Sequence, residues 1–245
     1  MSYKMIALDL DGTLLNKGVV SAENAKWVEA AIRAGKKVVL STGRALRDVR
    51  SIAENLNLDG PFVINNGSEV WKSPEELHIR HEIDPQIIAR LFRLIEKYRD
   101  EVNFWAHTVT ERIDARNVPE RLNSVQWLQF SIGSANPDHL KEIREEVAGW
   151  NCLEISNSAV NNVEFNPFGV SKASGLKEVC RLLGISMSET IAVGDSLNDI
   201  AMIRAAGLGV AMGNAQEPVK READTVAPPC TEDGVAHVIR TYLLA

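Results

Sequence analysis

Two aspartates, Asp9 and Asp11, follow directly on a short apolar run, Met5–Leu8. The continuous apolar character of this run predicts a buried β-strand, so the two carboxylates stand where that strand ends. Gly12 comes next and lets the chain turn tightly, so that both acidic side chains can face one cavity. Ligands bind at the carboxyl edge of parallel sheets, which makes this pair a candidate for chemistry.

The chemistry expected of Asp9 and Asp11 depends on what neutralises their charge. Neighbouring carboxylates repel each other, and a hard, oxygen-seeking cation such as Mg²⁺ would join them. The alternative is a solvated acidic turn, because such turns are common and resemble the start of a calcium-binding loop. A calcium loop is excluded by Val20, which occupies the twelfth position, where the loop needs a bidentate acid. The rest of the chain must decide between a metal site and a solvated turn.

A second acidic segment, GDSLND, occupies residues 194–199, and it also follows a strand-like run, residues 190–193. Asp195 would lie at the end of that strand. Asn198 and Asp199 would open the following helix, where the positive end of the helix dipole favours anions. This pattern repeats the arrangement at Asp9 and favours a shared site.

Two further segments supply groups that can bind an anion. The segment STGR, residues 41–44, follows the strand-like run 37–40 and offers the hydroxyl of Thr42. Lys172 ends the segment GVSK, residues 169–172. Carboxylates for a metal, a hydroxyl donor and a lysine together form the set of groups that phosphoryl transfer requires.

With these segments in place, the chain resembles the haloacid dehalogenase superfamily and, within it, the Cof-type sugar-phosphatase branch. The resemblance covers nearly the whole chain and is carried by five motifs, which are DLDGT from Asp9, STGR from Ser41, NNG from Asn65, GVSK from Gly169 and GDSLND from Gly194. Ala173 departs from the glycine that the family usually has after the lysine, and this position does not touch the chemistry.

The resemblance implies a two-step mechanism that also agrees with the chemistry of the residues. Asp9, with Mg²⁺, would attack phosphorus in line and form an aspartyl-phosphate. Asp11 would protonate the departing alkoxide and later deprotonate the attacking water. For that work the pKa of Asp11 should be raised, which a buried site with a second carboxylate can achieve.

The resemblance also implies two sets of ligands. For Mg²⁺ these would be Asp9, the backbone carbonyl of Asp11, Asp195 and Asp199. Asp199 would either support the direct ligands without touching the ion or bind it through a water molecule. For the phosphoryl oxygens they would be Thr42, Lys172, Asn198 and the backbone N–H groups of Leu10 and Gly43.

Four functions remain open at this point. A Mg²⁺-dependent phosphatase of small phosphorylated metabolites is favoured. A dehalogenase is disfavoured, because Asp11 supplies an acid that a halide leaving group does not need. A mutase uses the same aspartyl-phosphate and differs only in its acceptor, whereas a non-catalytic sensor of phosphorylated metabolites would not need Asp11. No motif specifies one substrate.

The order of predicted elements indicates an α/β fold. Strands alternate with helices at both ends of the chain, as in a doubly wound, Rossmann-like parallel sheet. Between them, a helix-and-antiparallel-sheet pattern interrupts the alternation. We therefore predict a core of residues 1–81 and 167–245 with an inserted α/β cap, residues 82–166. The resemblance implies that such a cap screens the substrate. This cap looks short for the branch, which puts its selectivity in question.

Composition agrees with a cytoplasmic enzyme. The chain has 245 residues, 45% of them hydrophobic, and a net charge of −6 without a basic stripe, which argues against nucleic acid as a partner. No apolar run suits a signal peptide or a membrane span, so no membrane partner is expected. Three cysteines without metal-ligand spacing, Cys152, Cys180 and Cys230, suggest reduced thiols. A monomer or small homo-oligomer is expected.

Several other residues could be functional but have simpler interpretations. The glycine-rich segment 207–213 does not fit the dinucleotide fingerprint, and we expect a turn and close packing there. Arg44 could contact phosphate or form an ion pair that fixes its loop. Asn66 could contact substrate, although a turn with Gly67 is slightly favoured. The cap tryptophans are expected in the cap core rather than stacked on a sugar; these are Trp105, Trp127 and Trp150.

Overall fold

The computed structural model describes residues 2–245, which form two compact units. One unit combines the chain up to Ile79 with Ser171–Ala245, and the other is Arg80–Val170. The division falls two residues before the first predicted boundary and four residues after the second.

The first unit is built on an eight-stranded sheet in which six strands are parallel. Its strand order is β15-β14-β13-β1-β4-β5-β6-β7, and β6 runs antiparallel to β5. A separate two-stranded ribbon, β2 and β3, follows β1. The strands of this unit are β1 Met5–Leu8, β2 Leu15–Asn16, β3 Val19–Val20, β4 Lys37–Ser41, β5 Phe62–Ile64, β6 Glu69–Ser73, β7 Glu76–Arg80, β13 Thr190–Gly194, β14 Leu208–Ala211 and β15 Thr225–Val226.

Helices cover both faces of this sheet, which confirms the α/β fold. Along β1, Ile6 and Leu8 pack into one buried cluster, and Met5 and Ala7 pack into another on the opposite face. This alternation follows from the two-residue period of a strand and explains why the run is apolar throughout. The α-helices of this unit are α1 Ala22–Arg33, α2 Leu46–Asn55, α5 Lys172–Leu183, α6 Ile200–Ala205, α7 Glu217–Glu222 and α8 Gly234–Val238, and a π-helix follows at Ile239–Leu243.

The helix that carries Lys172 begins at a well-defined cap. Ser171 accepts a hydrogen bond from the backbone N–H of Ser174, and the Ser174 side chain accepts one from the N–H of Ser171. This reciprocal pair satisfies donors that the first helical turn leaves free. Gly184, in the left-handed conformation, ends the helix.

The second unit contains a five-stranded antiparallel sheet in the order β11-β12-β10-β8-β9. Two helices pack on one face, where Phe130 and Ile132 of the central strand are buried. Gln129 and Ser131 alternate with them and are buried on the other face. The elements are α3 Pro85–Ile95, β8 Asn103–Thr108, β9 Arg112–Ile113, β10 Trp127–Gly133, α4 Pro137–Ala148, β11 Leu153–Ser156 and β12 Asn162–Pro167.

Two of the simpler interpretations need correction. The glycine-rich segment contains the buried strand β14 rather than only a turn. The expected close packing is found, since a Cβ on Gly209 would lie 2.4 Å from the Ile203 carbonyl oxygen.

The expectation for the tryptophans holds for two of the three. Trp127 and Trp150 belong to the apolar core of the second unit. Trp105 instead alternates with core residues of β8, and Arg112 lies over its ring.

No helix within residues 2–245 combines the length and apolar character needed to cross a membrane.

Candidate active site

The site is built where strands β1 and β13 end side by side. The two strands pair in parallel with Leu8 opposite Val193, and the N–H of Asp9 donates to the Val193 carbonyl at 3.0 Å. Asp9 and Asp195 therefore leave the same edge of the sheet from neighbouring strands. Carboxylate oxygens of Asp9, Asp195 and Asp199 lie within 4.8 Å of one another.

Lys172 joins two of these carboxylates. Its Nζ donates to Oδ1 of Asp9 at 2.6 Å and to Oδ1 of Asp199 at 2.7 Å, and the side chain is completely buried. Burial alone would lower the pKa of Lys172, but the charges of Asp199 and Asp9 outweigh it and hold the pKa above its ordinary value. The lysine that the sequence assigned to phosphate is thus a fixed cation between two acids.

Asp199 holds the acidic loop in shape. Its Oδ2 accepts the backbone N–H groups of Asp195 at 2.9 Å and Ser196 at 3.0 Å. Gly194 makes room for it, since a Cβ there would lie 2.3 Å from Cγ of Asp199. Both oxygens of Asp199 already have protein partners, which suits a residue that positions Asp195.

Asp195 is oriented by hydroxyl groups. Thr13 Oγ1 donates to Asp195 Oδ1 at 3.1 Å, and Ser196 Oγ donates to Oδ2 at 3.3 Å. Gly12 has a φ of +80°, and a Cβ there would lie 2.5 Å from Asp195 Oδ2. Thr13 was missed in the sequence, where its place in the DLDGT motif was the one available signal.

The three carboxylates carry more negative charge than Lys172 can balance. Burial raises the pKa of Asp195 to about 6, with the neighbouring Asp199 charge acting in the same direction. Burial likewise raises the pKa of Asp9 well above its ordinary value, against the attraction of Lys172. Both shifts mark a cluster that is short of positive charge. A divalent cation would supply it, and an all-oxygen donor set suits Mg²⁺.

Asp11 differs from what the sequence predicted. Its side chain is 58% exposed, and its carboxylate accepts a bidentate pair from Arg44, with Nε at 2.7 Å from Oδ2 and Nη2 at 2.6 Å from Oδ1. The burial that was expected to act on Asp11 is therefore absent, because its side chain is turned to solvent and to Arg44. Of the two roles open for Arg44, the structure shows the ion pair.

The STGR segment leaves β4 beside this group. Thr42 is buried, and its Oγ1 accepts the N–H of Arg44 at 3.2 Å. Its carbonyl accepts the N–H of Asn66 at 2.9 Å. Gly43 lies against Asn66, since a Cβ on the glycine would be 3.1 Å from Asn66 Oδ1. Leu10 has a fully buried side chain, so only its backbone can serve the site.

Asn66 also reaches the acidic loop. Asn198 Nδ2 donates to Asn66 Oδ1 at 3.1 Å, and both residues are buried. The φ of Asn66 is +55°, so the residue takes part in the expected turn and at the same time contacts a predicted phosphate ligand. Sequence reasoning found the turn and missed the contact.

The profile of the haloacid dehalogenase-like hydrolases matches residues 6–124 and 107–239. The chain belongs to this family. The expected superfamily is thereby confirmed.

Several similar proteins are named as phosphatases. A 5-amino-6-(5-phospho-D-ribitylamino)uracil phosphatase of Bacillus subtilis is 43% identical over 245 residues, which is 100% of this chain and 97% of that protein. A pyridoxal phosphate phosphatase of Escherichia coli is 28% identical over 100% of both chains.

Solved structures share the fold. A haloacid dehalogenase-like hydrolase from B. subtilis superimposes with a TM-score of 0.88 at 30% identity, covering 97% of this chain and 99% of the other. A sugar phosphatase of HAD subclass IIB superimposes with a TM-score of 0.84 at 24% identity, covering 99% and 100%.

Proposed function

We propose that this protein is a Mg²⁺-dependent phosphatase of small phosphorylated metabolites that works through an aspartyl-phosphate on Asp9. The observation that carries the proposal is the buried group at the edge of β1 and β13, where Lys172 joins Asp9 to Asp199 and Asp195 lies beside them. The names of the relatives support phosphatase chemistry.

Asp9, Asp195 and the backbone carbonyl of Asp11 are the groups that would hold Mg²⁺. When bound, the ion would neutralise negative charge and so reduce the repulsion between the Asp9 carboxylate and an anionic phosphoryl group. Asp199 stays behind these ligands, because Lys172 and two backbone N–H groups occupy its oxygens.

The chemical steps belong to Asp9 and Asp11. A carboxylate oxygen of Asp9 attacks phosphorus, the bond to the leaving oxygen breaks, and Asp11 gives that oxygen a proton. Asp11 then takes a proton from water, whose oxygen attacks phosphorus, and Asp9 and inorganic phosphate are released. Arg44 holds the Asp11 carboxylate in this structure, so each proton transfer requires Asp11 to exchange that partner for a reacting oxygen.

Lys172 can serve phosphate as well as the carboxylates. An ammonium group has three N–H donors, and Asp9 and Asp199 use two of them. The third is available to a phosphoryl oxygen. Thr42, Asn198 and the backbone N–H groups of Leu10 and Gly43 would donate to the same phosphoryl group. Donors fixed in this way stabilise the charge of the transferring group.

The first substrate to test is 5-amino-6-(5-phospho-D-ribitylamino)uracil, because the protein named for it is 43% identical along this whole chain. Pyridoxal phosphate comes next. We propose that residues 82–166 act as a cap that selects among such substrates while the core performs the chemistry.

The test is phosphate release by the purified protein from these compounds and an aryl phosphate, with Mg²⁺ or with excess chelator. We expect release that requires Mg²⁺ and is lost in Asp9→Asn. Full activity in chelator would refute the metal site. Isomerised phosphate esters without phosphate release would indicate a mutase, and binding without turnover would indicate a sensor.

A further inference from the structure

We infer that Asn214 is a positioning residue, which fixes the carbonyl of Gly12 and thereby the placement of Asp11. Asn214 follows strand β14, and its Nδ2 donates to the Gly12 carbonyl oxygen at 2.8 Å. Its Oδ1 accepts the backbone N–H of Cys230, also at 2.8 Å. One side-chain amide therefore ties the turn after Asp11 to a segment more than two hundred residues away in the sequence.

The loop that presents Asn214 is itself attached to the acidic segment. The N–H of Met212 donates to the Gly194 carbonyl at 3.0 Å, and the N–H of Gln216 donates to the Asp195 carbonyl at 2.9 Å. The backbone on both sides of Asn214 is thus fixed to the loop that carries Asp195. Through Asn214, the turn at Gly12 takes its position from that same loop.

Asp11 depends on this tie more than Asp9 does. Asp9 lies at the end of a buried strand and is held by Lys172 and by the Val193 carbonyl. Asp11 is exposed and its carboxylate pairs with Arg44, a residue of another loop, so its backbone position depends on the turn formed by Gly12. Loss of the Asn214 donor should therefore displace the proton-transferring acid and leave the nucleophile in place.

The kinetic consequence rests on the proposed function, in which Asp11 protonates the leaving group. Asn214→Asp keeps an acceptor for Cys230 but replaces the donor to Gly12 with a carboxylate oxygen that repels the carbonyl. Because kcat/KM reports the first phosphoryl transfer, it should fall on the order of 10-fold for alkyl phosphates, whose leaving groups need the proton. For an activated aryl phosphate, which leaves without that proton, kcat/KM should change little.

Asn117 provides a control. Its Oδ1 accepts the N–H of Asp114 at 2.8 Å and its Nδ2 donates to the Arg112 carbonyl at 2.9 Å, on a turn of the other unit. Its Nδ2 also donates to Glu111 Oε2 at 2.9 Å, a bond without a counterpart among those that the structure describes for Asn214. Because Asn117 lies in the unit proposed to select the substrate, Asn117→Asp is the control for hydrogen–deuterium exchange and not for the ratio of alkyl to aryl kcat/KM. An equal loss on alkyl and aryl phosphates in Asn214→Asp would overturn the positioning role.

A second measurement does not require activity. Hydrogen–deuterium exchange over residues 10–15 should be faster in Asn214→Asp than in the wild type, because the N–H groups of Gly12 and Thr13 are bonded within this turn. Asn117→Asp should not change it. Unchanged exchange in Asn214→Asp would overturn the inference, whether or not the wild type hydrolyses a tested substrate. Absence of hydrolysis by the wild type would count against the proposed function alone.

Discussion

Lys172 stands between two buried carboxylates, so its ammonium group bears on stability as well as on catalysis. Removing one partner of a buried charge group leaves the others without compensation, and Lys172→Met should lower the free energy of unfolding by about 3–5 kcal/mol. The measurement is urea unfolding at neutral pH without metal. Lys177→Met is the control, since Lys177 is exposed on the same helix. A loss as small as that of the control would show that the carboxylates do not depend on Lys172.

At the residue scale, the sequence predicted which residues meet but not how they pair. Parallel strands end at one edge, so Asp9 and Asp195 had to come together once the strands were recognised. The pairing of Arg44 with Asp11 and the donation by Asn214 to Gly12 depend on loop geometry that no local pattern encodes. Contacts of this kind join residues that are far apart in the sequence. A small movement of a side chain in such a loop is enough to exchange one hydrogen-bond partner for another.

At the scale of elements, the start of helix α5 must lie close to the turn after β5. Gly67 has a φ of +97°, and a Cβ there would lie 2.2 Å from the carbonyl oxygen of Ser171, the residue that caps α5. This contact places Lys172, the next residue, over the carboxyl edge of the sheet. The glycine is therefore required by both conformation and space.

We expect Gly67→Ala to destabilise the protein by about 1–3 kcal/mol more than Gly35→Ala, because only the first substitution also forces two backbone segments apart. Gly35 has a similar φ of +75° with nothing within 4 Å of a Cβ. Thermal and urea unfolding of the two variants would measure the difference. Equal losses would mean that the α5 terminus adjusts freely, and Lys172 would then not be placed by this contact.

Strand β14 shows where element prediction failed. Its sequence, LGVA, is flanked by glycines and suggested a turn, but the segment lies between β13 and β15 as an inner strand of the sheet. The glycines are explained by packing, since a Cβ on Gly207 would lie 2.0 Å from the Ser188 carbonyl oxygen. Tertiary contacts outweighed the local tendency of glycine to turn.

At the scale of the whole molecule, we propose that the core performs the chemistry and the inserted unit selects the substrate. Substitutions near its polar turns, His107→Ala and Asn157→Ala, should then change kcat/KM unequally across phosphorylated substrates and least for small aryl phosphates. Glu145→Ala, on an exposed position of α4, is the control. Lys172→Ala should reduce kcat/KM for every substrate by a similar factor, on the order of 10²-fold or more.

The comparison is a substrate panel assayed with all four variants. Uniform losses from the two turn variants, or strongly selective losses from Lys172→Ala, would show that the division of labour between the two units is wrong.

The central claim is that Asp9 carries the phosphoryl group, and trapping it is the most direct test. Asp11→Asn should still allow transfer from an activated aryl phosphate but slow hydrolysis, because no base remains to activate water. Peptide mass spectrometry after rapid acid quench should then find one phosphoryl group on the peptide containing Asp9, at higher occupancy than in the wild type and absent from Asp9→Asn. A phosphoryl group on any other residue, or wild-type turnover by Asp9→Asn, would contradict the account.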